Sequence, residues 1–454
     1  MSKLLRLAAL AAAVAAPVFA HAANHFVRAG ATGNGSGSDW TNAYTTLPAN
    51  LVRGDTYYLA GGNYGSHTFQ DADSGTQTIS IVRATAMNHG TDVGWQTAYN
   101  QGSAIFTHWN VITDYYVFDG QRRNPDWNLG TFDQYGIRVI GANTLRLDDN
   151  NGKGTNFTTF RYVDFQGGGR DTGYHDSVVY GLTGNSNMTW QYCALHDSDL
   201  TIFFMRGNWQ NDVIDHTYIA RNTSTPTWHG EGVSMMSTNN ITWSNNVMED
   251  IEGTAFIAGI GNGMATNWRI FGNVAVHTAA YIARTGRQAN YNFGVSGFVF
   301  IAYDRSNQVT GNNWQVYNNS FVNIQGTLSG VFIQNGANNM VRNNIWYSSV
   351  HTGTNLGANW TFDHNWYYNT SQSNDLDKST VTCTTNCDIF MSVANRDFRL
   401  KASLQPGATL AGDYAVDMAG VTRGVNGVYD RGAFQFKGTA LSNVGSPKQL
   451  IVGH

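Results

Sequence analysis

The sequence predicts an all-β protein, a single-stranded right-handed parallel β-helix with an N-terminal cap and C-terminal closing turns. Three observations predict this fold: a six-residue pattern that recurs along the chain, a second strand-like segment after most copies, and bends rich in Gly and Asn. Repetition of one short unit in a chain of 454 residues is typical of architectures in which each unit stacks on its neighbours. The repeat therefore decides the fold class before any motif does.

The recurring pattern is an apolar residue, two mostly polar positions, a small or amide residue, and another apolar residue two positions later. Its fourth position is occupied, in chain order, by Val163, Cys193, Thr217, Asn246, Asn273, Asn319, Asn344 and Asn365. The interval between Asn273 and Asn319 is the longest, which predicts either two turns or one turn with an excursion through residues 277–307. From Asn246 onward the position is always Asn, which predicts a stack of inward amides that satisfy buried backbone groups.

A second strand is predicted after most copies, in residues 177–182, 201–206, 232–237, 255–260, 298–303 and 330–335. Apolar and polar residues alternate in these segments with the period of a strand and not with that of a helix. A sandwich or a propeller would need hairpins between antiparallel strands, which this pattern does not supply. The sequence therefore predicts a β-helix domain over residues 23–370, followed by C-terminal turns and a tail over residues 371–454.

The composition excludes two broad classes of protein. The chain carries 27 basic and 31 acidic residues, a formal net charge of −4, whereas a nucleic-acid-binding protein normally presents a basic face to phosphates. Aromatic residues make up 13% of the chain and Pro numbers only 6, so disorder is excluded as the main state. We expect a monomer with no nucleic-acid partner.

The N-terminus has the form of a secretory signal peptide. Lys3 and Arg6 precede a short apolar run that ends at Ala20-His21-Ala22, and this pattern predicts cleavage near Ala22 after export. The run is too short to span a bilayer, and no later segment is continuously apolar over the length that a spanning helix needs. The sequence therefore predicts a secreted or periplasmic protein, with residues 1–22 as its signal peptide and no insertion into a membrane.

The three cysteines fit an oxidising compartment only in part. Cys383 and Cys387 lie four residues apart in a polar loop and could close a small local disulfide. Cys193 lies in an apolar segment and is predicted to be buried and inert. No Cys or His spacing resembles a zinc site.

Four acidic residues are predicted to meet at one strand entrance, because stacked strands bring equivalent residues within about 4.8 Å of each other. The inward column used for this alignment is Val178, Ile202, Val233 and Phe256. The acids near its entrance are Asp176, Asp199, Glu231 and Glu252. Carboxylates this close repel one another unless a cation or a shared proton intervenes.

Two functions are compatible with such a cluster. It could hold Ca²⁺, which favours several hard oxygen ligands, or it could supply an acid and a base or nucleophile for glycoside hydrolysis. The candidate metal ligands are Asp176, Glu231 and Glu252. The candidate catalytic residues are Glu231, His229, Arg206, Asp199 and His175. The structural alternative is a set of unrelated acids at solvent-facing bends, and no organic cofactor is expected.

Cations and aromatic rings near this entrance could hold a polysaccharide, since exposed rings stack on the apolar faces of sugars. The candidate substrate-binding residues are Trp228, Tyr281, Arg284, Tyr303 and Arg305. Further candidates for sugar stacking are Trp109, Trp127, Trp209 and Trp268, for which core packing is the alternative. For Arg206 and Arg305 a structural salt bridge is the alternative to a substrate contact.

The ends of the chain carry a resemblance to a known superfamily. The segments concerned are residues 25–30, 39–40 and 53–59 at the N-terminus, and 397–400 and 430–434 near the C-terminus. With the repeat, they resemble the cap, first strand and closing turns of the secreted pectate-lyase-like β-helix superfamily. The resemblance covers nearly all of residues 24–436 and implies the fold more specifically than the reaction.

One stretch is similar to a narrower family. His229-Gly230-Glu231-Gly232-Val233-Ser234 is similar to a strand entrance of the calcium-dependent chondroitinase and alginate lyase family, in which Glu231 would match a calcium-binding Glu. That family has a catalytic Lys shortly afterward and an Arg on the next turn, whereas this chain has Met236 and Ala258 at about those positions. The resemblance therefore does not carry over the catalytic pair.

Together these observations predict a secreted enzyme that degrades an extracellular polysaccharide. The first hypothesis is a polysaccharide lyase that cleaves an acidic, uronic-acid-containing glycan by β-elimination. A second is a glycoside hydrolase that uses Glu231 with Asp176, Asp199 or Glu252. A third is a non-catalytic carbohydrate-binding surface protein, which the absence of the expected Lys and Arg favours.

Overall fold

A computed structural model of the chain describes residues 22–149, 151–173, 176–224, 230–253, 255–258, 264–284, 299–302, 311–324, 330–333, 336–349, 360–370 and 381–438. Within these residues, thirty strands pair in parallel and coil around one axis as three stacks, here named sheets A, B and C. From Gly62–Phe69 to Gly330–Ile333 the chain passes in turn through sheet B, sheet C and sheet A. This is the right-handed parallel β-helix that the repeat predicts.

The strands of each sheet follow one another in chain order. Sheet A contains Asn24–Val27, Thr56–Leu59, Ile79–Arg83, Tyr116–Asp119, Thr159–Arg161, Thr189–Gln191, Val213–Asp215, the end of Val233–Ser244, Ala265–Phe271, Gln315–Tyr317, Asn339–Arg342 and Trp360–Asp363. Sheet B contains the starts of Gly62–Phe69 and Ala104–Val111, then Ile137–Ile140, Val163–Gln166, Ala194–Ser198, Tyr218–Asn222, Val247–Glu249, Val274–Val276, Ser320–Val322, Ile345–Tyr347, Trp366–Tyr368 and Val381–Thr382. Sheet C contains the ends of Gly62–Phe69 and Ala104–Val111, then Leu145–Arg146, Val179–Gly181, Phe203–Gln210, Val233–Ser244, Phe256–Ala258, Val299–Ala302 and Gly330–Ile333.

Few other elements are present in the described residues. The helical segments are the α-helix Ala279–Ala283 and the 3₁₀ turns Thr97–Asn100, Trp127–Leu129 and Gly412–Ala415. An antiparallel pair, Phe390–Ser392 with Asp397–Leu400, follows the last coil. None of these helices is long and apolar enough to cross a membrane.

The corner between sheets A and B explains the repeat. In each repeat the residue before the fourth position has a positive φ, as in Asn245 (54°) and Asn318 (53°), so the chain turns sharply with one left-handed residue. Asn has a short polar side chain that tolerates this conformation better than most residues. The fourth position is buried and, in all repeats but the first, directly precedes the next strand.

The predicted stack of inward amides is confirmed. Asn319 Oδ1 accepts from the backbone N–H of Asn273 at 3.0 Å and from its Nδ2 at 2.9 Å, and Asn344 Oδ1 accepts from Asn319 in the same way. The Asn319 Nδ2 also donates to the carbonyl of Ile270 at 3.0 Å. Because these groups are buried, the amide ladder satisfies backbone atoms that water cannot reach.

The long interval between Asn273 and Asn319 is a single coil that carries an excursion. Ala265–Phe271 pairs directly with Gln315–Tyr317 in sheet A, and Val274–Val276 pairs directly with Ser320–Val322 in sheet B. No extra strand therefore lies between these neighbours. Of the two alternatives that the spacing left open, the excursion is confirmed.

Aromatic rings fill the inside of the coil. Phe160 stacks on Trp190 at 4.3 Å between ring centroids, and Trp268 stacks on Trp314 at 5.0 Å. Trp109, Trp209 and Trp268 are fully buried in this core, so the prediction that they stack on sugars was wrong. Their spacing alone could not show which face of each strand they occupy.

The cysteines behave as predicted. Cys383 and Cys387 form a disulfide after the last strand of sheet B. Cys193 is a free, buried thiol, and burial raises its pKa to about 12. It is therefore protonated and chemically inert in the folded protein.

Candidate active site at the entrance of sheet C

The connections from sheet B to sheet C gather the acidic residues that the sequence singled out. Asp176 and Asp199 lie on consecutive coils, and the backbone N–H of Asp199 donates to Asp176 Oδ1 at 3.3 Å. The backbone N–H of Gly168 donates to Asp176 Oδ2 at 2.9 Å. Both side chains are buried, so the Asp176 carboxylate depends on these donors for its solvation, and the Asp199 carboxylate depends on Thr172, whose backbone N–H and hydroxyl donate to it.

Glu231 lies on the next coil, at the same entrance. Its Oε2 accepts from the Thr201 hydroxyl at 2.8 Å, and its carbonyl accepts from Asn222 Nδ2 at 3.0 Å. Thr223 links the same coils, because its hydroxyl donates to Asp199 Oδ1 at 3.1 Å. Glu231 is 2% exposed, so its carboxyl group depends on protein donors and not on water.

The register used to align these acids was wrong by one residue in two of the four coils. The structure pairs Val179 with Phe203 and Phe203 with Val233, so Val178 and Ile202 do not belong to the inward column. The connections between sheets B and C differ in length from coil to coil, and a fixed offset from the repeat therefore fails there. The four acids nevertheless all lie on the connections between sheets B and C.

Glu252 forms an ion pair. Arg284 Nη1 donates to Glu252 Oε2 at 2.8 Å, and Arg284 Nη2 donates to Asp171 Oδ1 at 2.5 Å. Burial lowers the pKa of Arg284, but Glu252 and Asp171 raise it more, so the net pKa lies above the ordinary value. The structure thus joins a predicted metal ligand, Glu252, to a predicted substrate-binding cation, Arg284.

Arg170 is a residue of this entrance that the sequence did not indicate. Its Nε and Nη2 atoms are buried and have no hydrogen-bond partner in the described part of the chain. Burial and the neighbouring Arg284 lower its pKa, while Asp250, Glu252 and Asp171 act in the opposite direction. Arg170 lies in a loop outside any repeated pattern, so the sequence alone could not indicate that it belongs to this entrance.

The described carboxylates of this entrance are bonded to protein donors. No group of three His, Cys, Asp or Glu side chains in the described residues is arranged to hold a metal ion. Asp176, Asp199 and Glu231 accept hydrogen bonds from backbone or hydroxyl groups, and Glu252 accepts from Arg284. Calcium binding stays a prediction.

The remaining candidates fall into two groups. Tyr281 is buried, and its ring lies 4.5 Å from that of His277 between centroids. Arg206 lies within the strand Phe203–Gln210, whereas the sequence predicted that it ends its strand. The predicted residues that lie outside the described part of the chain are His175, Trp228, His229, Tyr303 and Arg305.

A separate buried network lies on sheet B. His196 is bonded at Nε2 to Asp164 Oδ1 (2.8 Å) and at Nδ1 to Asp197 Oδ2 (2.7 Å), and Phe132 stacks on its ring at 3.9 Å between centroids. Arg221 donates to both carboxylate oxygens of Asp197, at 2.6 and 2.8 Å. Burial lowers the pKa of His196, but the two carboxylates raise it more, so the net pKa lies above the ordinary value.

This network predicts a pH-dependent stability. A histidine whose folded-state pKa is raised contributes stability that is fully present below its unfolded pKa, about 6.5, and is lost as the pH rises through the folded-state pKa. We expect the free energy of unfolding of the wild type to fall over that range relative to His196→Gln, measured by urea denaturation at a series of pH values. Parallel pH profiles of the two proteins would contradict the assignment.

Comparisons with known proteins bear on the fold. The solved structure of pectate lyase Pel9A matches with a TM-score of 0.50 and 14% identity over 91% of this chain and 97% of that one. A mannuronic-acid-specific family 6 polysaccharide lyase from human gut microbiota matches with a TM-score of 0.38 and 13% identity, over 73% of this chain and 78% of that one. A rhamnogalacturonan lyase matches with a TM-score of 0.34 and 8% identity, over 80% and 85%. No protein-family model and no curated protein sequence matches the chain. The chain therefore has a right-handed parallel β-helix fold, similar to that of pectate lyase Pel9A.

Proposed function

We propose that the protein is a polysaccharide lyase that cleaves a uronic-acid-containing glycan by β-elimination at the entrance of sheet C. The observation that carries the proposal is the meeting of buried carboxylates with two arginines at one strand entrance. Arg170 has guanidinium N–H groups without a partner among the described residues, and Arg284 lies beside it. A substrate carboxylate would satisfy such donors.

β-Elimination needs three contributions from the site. The uronate carboxylate must be neutralised, a base must remove the proton beside it, and an acid must protonate the leaving oxygen. Arg170 and Arg284 are the proposed cations for the carboxylate. Glu231 and Asp199 are the proposed proton-transfer groups, with His229 and His175 as further candidates from the same connections.

Two features are proposed together with this activity. The polysaccharide is extracellular, since residues 1–22 have the pattern of a signal peptide for a secreted or periplasmic protein. A calcium ion near Asp176, Glu231 and Glu252 would require these side chains to exchange their present partners for the metal, and no step of the proposed reaction is routed through it.

The test uses the purified wild-type protein and a panel of pectin, alginate, chondroitin and neutral glycans. A lyase produces unsaturated uronate ends, which absorb in the ultraviolet, and we expect this absorbance with at least one acidic glycan. New reducing ends without absorbance would indicate hydrolysis, and retention on the glycan without either product would indicate binding alone; both contradict the proposal. A parallel assay with a chelator, with and without added calcium, tests the metal separately.

A further inference from the structure

The outward face of sheet C carries a row of flat side chains. Arg146, Tyr180, Phe204 and Ser234 occupy equivalent positions on four consecutive strands. The rings of Tyr180 and Phe204 stack at 5.3 Å between centroids and 12° between planes. The Arg146 guanidinium lies 5.0 Å from the Tyr180 centroid, and the Arg206 guanidinium lies 4.6 Å from that of Phe204. Arg146 thus lies against the first ring of the row, and Arg206, two residues after Phe204 on the same strand, lies against the second ring.

The two cations differ in their other contacts. Arg146 Nη2 lies 3.3 Å from Asp148 Oδ1, whereas the Arg206 guanidinium has no hydrogen bond or ion pair in the described part of the protein. Burial lowers the pKa of Arg206. An arginine held against a ring, without an anion of its own, favours binding of an anion from outside.

The position of the row separates it from the acidic entrance. Tyr180 follows Asp176 by four residues and Phe204 follows Asp199 by five, and an extended strand advances about 3.3 Å per residue. The rings therefore lie up to about 13 to 16 Å along the strands from the acids. A glycan that reached from the acids to this row would contact it through a sugar unit other than the one that reacts.

We propose that Arg146, Tyr180, Phe204 and Arg206 form a binding subsite for a run of uronate units. The inference rests on the proposed function, because it assumes that the glycan lies along sheet C. Arg146 and Arg206 belong to strands two positions apart, and Arg206 lies two residues beyond the position in register with Arg146, so their Cα atoms are about 12 Å apart. A uronate unit carries a single carboxylate, so Arg206 binds the carboxylate of one unit, and Arg146, which also contacts Asp148, lies against a neighbouring acidic unit of the same chain. The ring edges between the cations contact the apolar C–H groups of the sugars.

The substrate class that follows is a glycan with consecutive or closely spaced uronates. A glycan in which most carboxylates are esterified, or which lacks them, would leave Arg206 without its anion. The subsite thus acts on affinity and on the choice of glycan, while proton transfer takes place at the acidic entrance. Arg206 is in this sense a specificity residue and not a catalytic one.

The experiment measures binding and cleavage in parallel. Oligogalacturonates and oligomannuronates, their methyl-esterified forms and a neutral galactan oligosaccharide are titrated calorimetrically into the wild type, Arg206→Gln and Phe204→Leu. We expect the wild type to prefer at least one free oligouronate, and Arg206→Gln to lose about tenfold in affinity for it with little change for its ester. Added salt should weaken binding by the wild type more than by Arg206→Gln, because a charge contact is screened. The matched control is Arg399→Gln, an exposed arginine of the C-terminal antiparallel pair.

The outcomes separate the two proposals. Unchanged affinity in both variants, or equal affinity of the wild type for free and esterified oligomers, overturns the subsite whatever the enzyme does. Loss of affinity in Arg206→Gln without any unsaturated product from the wild type supports the subsite and contradicts the lyase. Where cleavage occurs, Arg206→Gln should raise KM about tenfold and leave kcat nearly unchanged. Thermal melting of each variant checks that Gln and Leu leave the fold intact.

Discussion

Replacing Asn319 by Ala is expected to lower the free energy of unfolding by about 4 kcal/mol, the largest single-residue effect on stability that we predict. The substitution removes the acceptor of the Asn273 backbone N–H and the donor to the Ile270 carbonyl. Both groups are inside the coil, and an unsatisfied buried polar group costs about 1 to 3 kcal/mol. The smaller side chain also leaves a void next to Asn344 that its neighbours fill only in part.

A second Asn ladder of the same chain supplies the matched control. Asn313 Nδ2 donates to Asn267 Oδ1 at 2.9 Å on the exposed corner between sheets C and A. Asn313→Ala removes one exposed hydrogen bond and places Ala at a φ of 58°, so we expect a loss of about 1 kcal/mol. Denaturant midpoints of both variants, compared at equal m-values, provide the measurement. Similar midpoints for Asn319→Ala and Asn313→Ala would show that burial of the ladder is not what matters.

The corner between sheets A and B could be predicted because Asn does one physical task in every coil from Asn246 onward. Asn246, Asn273 and Asn319 each follow a left-handed residue and each satisfy the backbone of the preceding coil. This task depends only on local geometry, so it leaves a mark in the sequence at nearly regular intervals. The buried stack followed from it, whereas the spacing left two alternatives open for the long interval, and the strand pairing decided between them.

The candidate site could be predicted only in part, because it lies where the coils differ. The connections that lead to Val179, Phe203 and Val233 have different lengths, and the alignment across them slipped by one residue. The pair of Glu252 with Arg284 joins a buried acid to a residue of the excursion, which no periodicity indicates. The acids could be found from the sequence because each lies within a few residues of the next strand. Arg170 lies nine residues before Val179–Gly181, in the middle of a connection, where no pattern marks it.

The contrast between a regular corner and irregular connections explains why the fold is recognisable although no protein-family model matches the chain. Inward amides at one corner and apolar residues inside the coil are enough to specify a β-helix. The chain therefore has a fold similar to that of Pel9A although the two sequences are only 14% identical. The outward residues and the long connections carry the chemistry and are free to vary without cost to the core. Function must therefore be tested on the side chains of the site, and Glu231 is the most informative of them.

Glu231→Gln is expected to lower kcat about 100-fold to 10,000-fold, the usual effect of removing a group that transfers a proton. Gln keeps the size of the side chain and can still accept from the Thr201 hydroxyl, which now bonds Glu231 Oε2 at 2.8 Å. The change therefore removes the titrating proton and spares the packing. Ultraviolet absorbance of the unsaturated product, on the glycan that the wild type cleaves best, provides the rate.

Glu249→Gln separates catalysis from the general effect of changing a buried acid. Glu249 is as buried as Glu231, but it lies on sheet B, where the Tyr218 hydroxyl donates to it at 2.6 Å and Arg396 Nε lies 2.9 Å away. Loss of its charge weakens the pair with Arg396, so we expect a lower melting temperature with kcat within about twofold of the wild type. If Glu249→Gln reduced kcat as strongly as Glu231→Gln, both effects would come from folding. Glu231→Gln loses only the ionisable carboxyl group. A wild-type rate in that variant would therefore show that another residue of the entrance transfers the proton.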